Sequence, residues 1–294
     1  MEPVKGRAGV FAAGRPGLVG VAGRRSPGMG TAAVYAEFAR MGFMNMLAFR
    51  LRYYTGIITY FINVSVYYFI WRAIYTYDPN FAGMSFPQII TYVAVGWVIR
   101  SLYFNNIDSQ MATDILEGKI SMIMLKPVSV QGSYVSRVLG ESAFRLVMLT
   151  APTALVIAFL FPVVPPASAL HFGAFVAAVG FSVLIVAGLN FIVGTCAISL
   201  KSILGLLRAK FWMQELLSGL LVPVTLFPSP FREISGLLPF QHIGFTPMMI
   251  YLGKLNGAEI MRVFALEAFW VIFLLAFGAW FWGRLSRRLT IHGG

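Results

Sequence analysis

Apolar and polar positions divide the chain into long apolar stretches joined by shorter polar ones. A helix needs roughly 20 mostly apolar residues to cross a hydrocarbon core. Six stretches meet or approach that length: 55–75, 88–106, 139–161, 172–197, 212–228 and 262–283. The second and fifth are the shortest or least apolar. Ahead of the first, residues 33–52 follow another pattern. Tyr35, Phe38, Met41, Phe43, Met46, Leu47 and Phe49 alternate with Glu37, Arg40, Arg50 and Arg52, which predicts an amphipathic helix lying on a membrane surface.

Two connections carry further pattern. In 107–138, Met111, Ile115, Leu116 and Ile120 fall at helical spacing, with Asp114, Glu117 and Lys119 between them. Asp108 can cap such a helix, and Lys126-Pro127 should end the segment, because proline cannot extend a helix. The stretch 228–260 is apolar, yet Pro228, Pro230, Pro239 and Pro247 interrupt it too often for a full crossing. Irregular backbone at membrane depth is tolerated only when protein covers it or it lines a cavity. A half-inserted outer hairpin is therefore expected.

Composition turns the pattern into a class. Hydrophobic residues make up 58% of the 294, and charged residues only 12%, against about 25% charged in soluble domains. Mean hydropathy is +0.77. The expected fold is an all-α membrane protein with six transmembrane helices.

The net charge of +12 does not point to nucleic acid, because of where the charges lie. With the N-terminus inside, seventeen of the 23 Lys and Arg residues fall in cytoplasmic pieces, including Lys119, Lys126, Arg137, Lys201, Arg208 and Arg284. Only Arg72, Arg232, Lys254 and Arg262 fall outside. Basic residues favour the cytoplasmic side, so both termini are expected there, with the chain multi-pass in the cytoplasmic (inner) membrane. Residues 1–30 are rich in Gly, Arg, Ala and Pro, with no apolar run of signal-peptide length. They read either as a disordered extension or as sequence ahead of a true start at Met29.

Little in the sequence supports chemistry on this chain. No Gly-x-x-x-x-Gly-Lys-Ser/Thr phosphate loop occurs; Gly118-Lys119 and Gly253-Lys254 lack both the upstream glycine and the following hydroxyl. His171, His242 and His292 are far apart, and Cys196 is the single cysteine. No metal site, catalytic residue or bound cofactor is expected. Charges inside spans are costly and often functional. Arg100, Glu141, Arg145, Glu215 and Glu267 are the candidates, mostly within about two turns of a span end, where they could reach water. Arg100 and Glu141 are expected to pair.

The run 115–127, Ile-Leu-Glu-Gly-Lys-Ile-Ser-Met-Ile-Met-Leu-Lys-Pro, resembles the cytoplasmic loop of ABC type-2 transporter permeases, in a branch long of unknown substrate. The lead-in at 31–54 is similar to that family's elbow helix. Residues 228–260, with Leu237-Leu-Pro239-Phe240 and Tyr251-Leu-Gly253, are similar to its outer re-entrant hairpin. The resemblance covers about 29–288. It implies a permease domain over 55–288 with a coupling loop at 107–138 and a cytoplasmic tail at 289–294. It also implies a dimer with the same or a related permease, and docked ABC ATPase subunits that hold ATP and Mg. Asp114, Glu117, Gly118, Lys119, Lys126 and Pro127 are the expected docking residues. An ion-coupled transporter and an intramembrane enzyme are the competing classes.

Overall fold

The computed structural model describes residues 30–48, 51–79, 81–200 and 202–289. The readings of residues 1–29, of Phe49, Arg50 and Lys201, of the Arg52 side chain, and of the tail beyond Leu289 lie outside the described residues.

Within the described residues every regular element is helical. Helix α1 (Thr31–Ala48) precedes α2 (Leu51–Tyr77), which returns through α3 (Phe86–Tyr103). Two short helices follow, α4 (Ile107–Leu116) and α5 (Ile120–Met124), and then α6 (Val130–Arg145). A π turn, Leu146–Thr150, joins α6 to α7 (Ala151–Leu160). After α8 (Ala169–Thr195) come α9 (Leu204–Leu217), α10 (Ser229–Leu237), α11 (Phe245–Tyr251) and α12 (Gly257–Leu285).

Four stretches are long and apolar enough to cross a membrane: Thr55–Tyr77, Val130–Leu160, Ala169–Ile198 and Gly257–Arg288. The second and fifth stretches expected from sequence fall short of that measure. Helix α3 has 18 residues and carries Gln88 and Arg100, and most of it is buried among other helices. Helix α9 has 14 residues, about 21 Å at 1.5 Å per residue. The chain after it turns at Gly219 (φ 78°), so residues 212–228 do not form one helix.

Local sequence explains the boundaries. Ser85 starts α3, its amide donating to the Gln88 side chain at 3.1 Å. Ser168 accepts from the amide of His171 at the start of α8. Asn256 and Glu259 cap α12 reciprocally, at 3.0 and 2.8 Å, satisfying amides that a helix start leaves without partners. Between α6 and α7, Pro152 has no N–H to give the carbonyl of Met148. The backbone widens there, and the amide of Ala151 reaches back five residues to Leu146.

The helices pack around α3 and α8. Helix α2 runs antiparallel to α3 on an aromatic seam, with Tyr60 and Tyr67 against Trp97, and Tyr68 and Tyr75 against Phe86. Helix α12 runs parallel to α8. Phe181 meets Phe264, Gly188 receives Leu274, and Phe191 meets Gly278 and Trp282. Helix α1 lies tightly along α6. A Cβ on Gly140 would sit 1.8 Å from the Ala39 carbonyl oxygen, and one on Gly42 would sit 2.3 Å from that of Arg137.

The bundle therefore has two distinct ends. At one, the loop end, α1, α4, α5 and the close of α12 gather, and Arg288 and Leu289 lie beside Glu117. At the other, the hairpin end, α10 and α11 meet the 161–168 connection. There the amide of Ala167 donates to Tyr251 O at 3.1 Å, and Tyr251 Oη donates to Val164 O at 3.2 Å.

Candidate functional site

At the loop end the chain presents a small projecting structure. Helix α4 packs across the end of α8, with Met111 and Asp108 against Gly194. It begins at Ile107, so Asp108 lies inside its first turn and does not cap it as expected. The chain then reverses at Gly118, whose φ is +72°. That conformation is readily adopted by glycine and strained for most other residues. Nothing else in this chain lies within 4 Å of a Cβ there, so within the chain it is conformation that calls for the glycine. Helix α5 ends at Met124, and residues 125–129 lead to Ser129, which caps α6 by accepting from Gly132 at 2.9 Å.

The six expected docking residues occupy this projection but do different things. Tyr134 donates to Asp114 at 2.6 Å, fastening α4 to α6. The Lys126 ammonium sits 4.7 Å from the Phe38 ring, a cation–π contact that joins the projection to α1. Glu117 and Lys119 pair on the surface, and the bond to Glu117 raises the Lys119 ammonium above its ordinary range. Gly118 and Pro127 are exposed. Beside them stand exposed apolar side chains that form a ridge: Leu116 is 62% exposed, Met122 62% and Leu125 86%. The Met-Ile-Met-Leu run at 122–125 was its visible signal.

Below the projection lies a buried ionic layer. The guanidinium of Arg100 donates from Nε at 3.0 Å and Nη2 at 2.7 Å to Glu215. Trp97, Phe104 and Phe211 surround it, with ring centroids 5.4, 4.8 and 6.0 Å from its Cζ. The expected partner, Glu141, instead faces Arg145 one turn along α6 at 3.5 Å. Sequence spacing between neighbouring spans favoured Glu141, but α9 folds back against α3 and delivers Glu215. A second bridge, Lys210 to Asp108 at 2.7 Å, joins α9 to α4. Lys210 also donates to Asn190 Oδ1 at 2.7 Å, and Asn190 donates to Asn105 Oδ1 at 2.9 Å. Helices α4, α8 and α9 are thus joined by one hydrogen-bonded chain.

At the hairpin end each of the four prolines stands outside the helices or in a first turn. Pro228 immediately precedes α10, Pro230 is its second residue, Pro239 opens a 3-10 turn, and Pro247 is the third residue of α11. These are positions where a missing N–H costs little. Pro228 and Pro230 are exposed, whereas Pro239 and Pro247 are buried. Residues 239–252 enter the bundle: Met248 would meet a Cβ on Gly96, midway along α3, at 2.6 Å. The amide of Phe245 donates to Ser218 O at 2.8 Å, and Tyr92 donates to Gly219 O at 2.6 Å. Helix α12 begins at Gly257, five residues before the expected span, so Glu267 lies three turns inside it. Glu267 is fully buried, and neither carboxylate oxygen has a hydrogen-bond partner among the described residues.

The family model of the ABC-2 family transporter protein matches residues 61–293, nearly the whole helical region. The chain belongs to the ABC-2 transporter family. No curated protein matches it. Membership makes it the membrane permease of an ABC transporter, a transport subunit whose ATPase is carried on a separate partner. Here Asp114–Tyr134 and the Asp108–Lys210 bridge connect the exposed turn to α6, α8 and α9.

Proposed function

We propose that this ABC-2 permease exports amphipathic or hydrophobic compounds across the cytoplasmic membrane. It would work as a dimer with the same or a related chain, driven by ABC ATPase subunits that bind ATP and Mg. In this reading residues 107–127 form the coupling element. Glu117, Gly118, Lys119, Pro127 and the ridge of Leu116, Met122 and Leu125 receive the ATPase, while Asp114 and Lys126 hold the element to the bundle. Six crossings follow if α3 supplies the second and α9 with residues 218–227 the fifth. Helix α1 would then be the interfacial elbow, and 228–260 the outer re-entrant hairpin.

The observation that carries this reading is the exposed apolar ridge on a turn whose base is bonded to three helices. Exposed apolar side chains beside a charge pair are characteristic of a protein-binding surface. The excess of basic residues at the loop end, including Lys119, Lys126, Arg284, Arg287 and Arg288, supports a cytoplasmic placement of that end. Sparse charge within the helices supports an amphipathic cargo.

The test is co-purification of the tagged chain from native membranes, with Glu117→Arg and Leu125→Asp compared against the unaltered chain, followed by transport in inverted vesicles. Recovery of a nucleotide-binding ATPase that both variants lose places the docking surface. ATP-dependent accumulation of a fluorescent amphiphile inside the vesicles establishes export. An ATPase retained by both variants moves docking elsewhere, and ATP-dependent loss of preloaded dye reverses the direction.

A further inference from the structure

The buried face of α12 reads Ile260, Glu267, Val271, Leu274 and Gly278, so the Glu267 carboxyl occupies a core position of the helix. The contacts of Phe264 with Phe181 and of Leu274 with Gly188 bracket it against residues 182–187 of α8. Those residues are apolar except Ser182, whose hydroxyl faces the carbonyls of Ala178 and His242 at 3.0 and 3.1 Å. The third wall is the 239–242 turn of the hairpin end, which packs on both α8 and α12. Its His242 is buried; Nδ1 lies 3.2 Å from Thr246 Oγ1, and Nε2 has no partner among the described residues. No ion pair holds Glu267 there either. Residues 172–195 of α8 contain no charged or titratable side chain. Tyr251 of α11 is bonded to Val164 O, and Glu259 and Arg262 on α12 itself are exposed. Helix α6 meets α12 three turns away, at Gln131 and Gly278.

A carboxylate in this seat would be an unpaired buried charge, costly enough that the group takes a proton instead. We propose that Glu267 is a proton-binding site gated by the hairpin. Seated under residues 239–252 the carboxyl carries a proton, and when that segment lifts it gives the proton to water and becomes a carboxylate. With none of Glu267 reachable from solvent, a proton is the ligand whose binding needs no room. Resealing requires the carboxylate to take a proton back from water, because the apolar seat does not accept the charge. The closed form thus binds one proton more than the open one, so rising pH favours the open hairpin. His242 faces the same seat, but above about pH 6.5 an imidazole is mostly neutral whether seated or exposed, so Glu267 sets this direction.

This inference depends neither on the ATPase partner nor on the direction of transport. The purified full-length chain is compared with Glu267→Gln in detergent at neutral pH by infrared difference spectroscopy. The expected difference is the carbonyl stretch of a protonated carboxyl, present in the unaltered chain and lost in the variant. Glu267→Asp, which keeps a carboxyl, should move that band rather than remove it, and carries the assignment if Glu267→Gln does not fold. In heavy water the band should shift slowly, because the proton exchanges only when the hairpin lifts. Tyr251→Phe removes the bond to Val164 O and should speed that exchange about two- to tenfold, with amide exchange in α8 unchanged. Gly253→Ala, whose new methyl would press on Ala167, is a second loosening variant. A carboxylate in place of the protonated band overturns the proposal. So does an exchange that neither hairpin variant speeds, or one that rises only together with amide exchange in α8.

Discussion

Arg100 and Glu215, 115 residues apart in sequence, form a two-pronged ion pair inside a shell of three aromatic rings. Removing one member of a buried pair leaves an uncompensated charge, at a cost of about 3–5 kcal/mol. Glu215→Gln and Arg100→Gln should therefore each lower the unfolding midpoint in detergent sharply. The exchange Arg100→Glu/Glu215→Arg should recover much of the loss. An exchange variant as unstable as the single changes would mean that Arg100 and Glu215 do not act as a pair.

Packing of α1 onto α6 is set by glycine. Gly140→Ala puts a methyl against a backbone carbonyl that cannot rotate away, so it should cost about 1–3 kcal/mol and expose α1 to protease. Gly173→Ala and Gly205→Ala, both helical and with open space around the new atom, should be neutral or gain up to about 1 kcal/mol. Equal behaviour of all three in a proteolysis assay would mean that α1 is not seated by close backbone approach.

Much of this was legible because apolar periodicity and proline position are local properties. The short helix α4, the end of its segment before Pro127 and the broken character of 228–260 all follow from residues close together in the chain. Pairings were not legible. Arg100 had several acidic candidates, and only the fold of α9 selects Glu215. Lys210 was counted as a loop charge, although it sits under α4 bonded to Asp108 and Asn190. The polar surroundings of Asn105 and Asn190 gave no periodic signal, because a hydrogen-bonded layer is assembled from four segments.

Lys210→Met leaves the buried Asp108 carboxylate without its cation, so it is combined with Asp108→Asn to limit the cost to folding. Lys210→Met keeps the length of the side chain but cuts the chain of bonds between α9 and α4. The expected result is a complex that still hydrolyses ATP while transport falls about tenfold or more, as loss of a charge-assisted bond worth about 1.5–3 kcal/mol implies. Parallel ATPase and transport assays on the reconstituted complex check it, and equal losses in both would assign the bridge to stability alone.

Glu267 tests whether a carboxyl without a partner among the described residues is retained for function. A buried polar group without a partner costs about 1–3 kcal/mol, so Glu267→Met should raise the unfolding midpoint. If transport survives in that stabilised variant, the group has no part in the cycle. Transport lost from a more stable protein would give Glu267 a functional role.

The parallel course of α8 and α12 has a consequence of parity. Two strands of one rope laid in the same direction require the rope to come back between them. Residues 199–256 must therefore travel the full depth of the bundle from the loop end to the hairpin end, yet the helical part of that return, α9, is too short to span it alone. The remaining climb is made by 218–227, a segment turned at Gly219 and held by Tyr92. The return path thus contains a joint where the other long paths are continuous helix, and any tilt of α9 driven from below through Lys210 must be absorbed there.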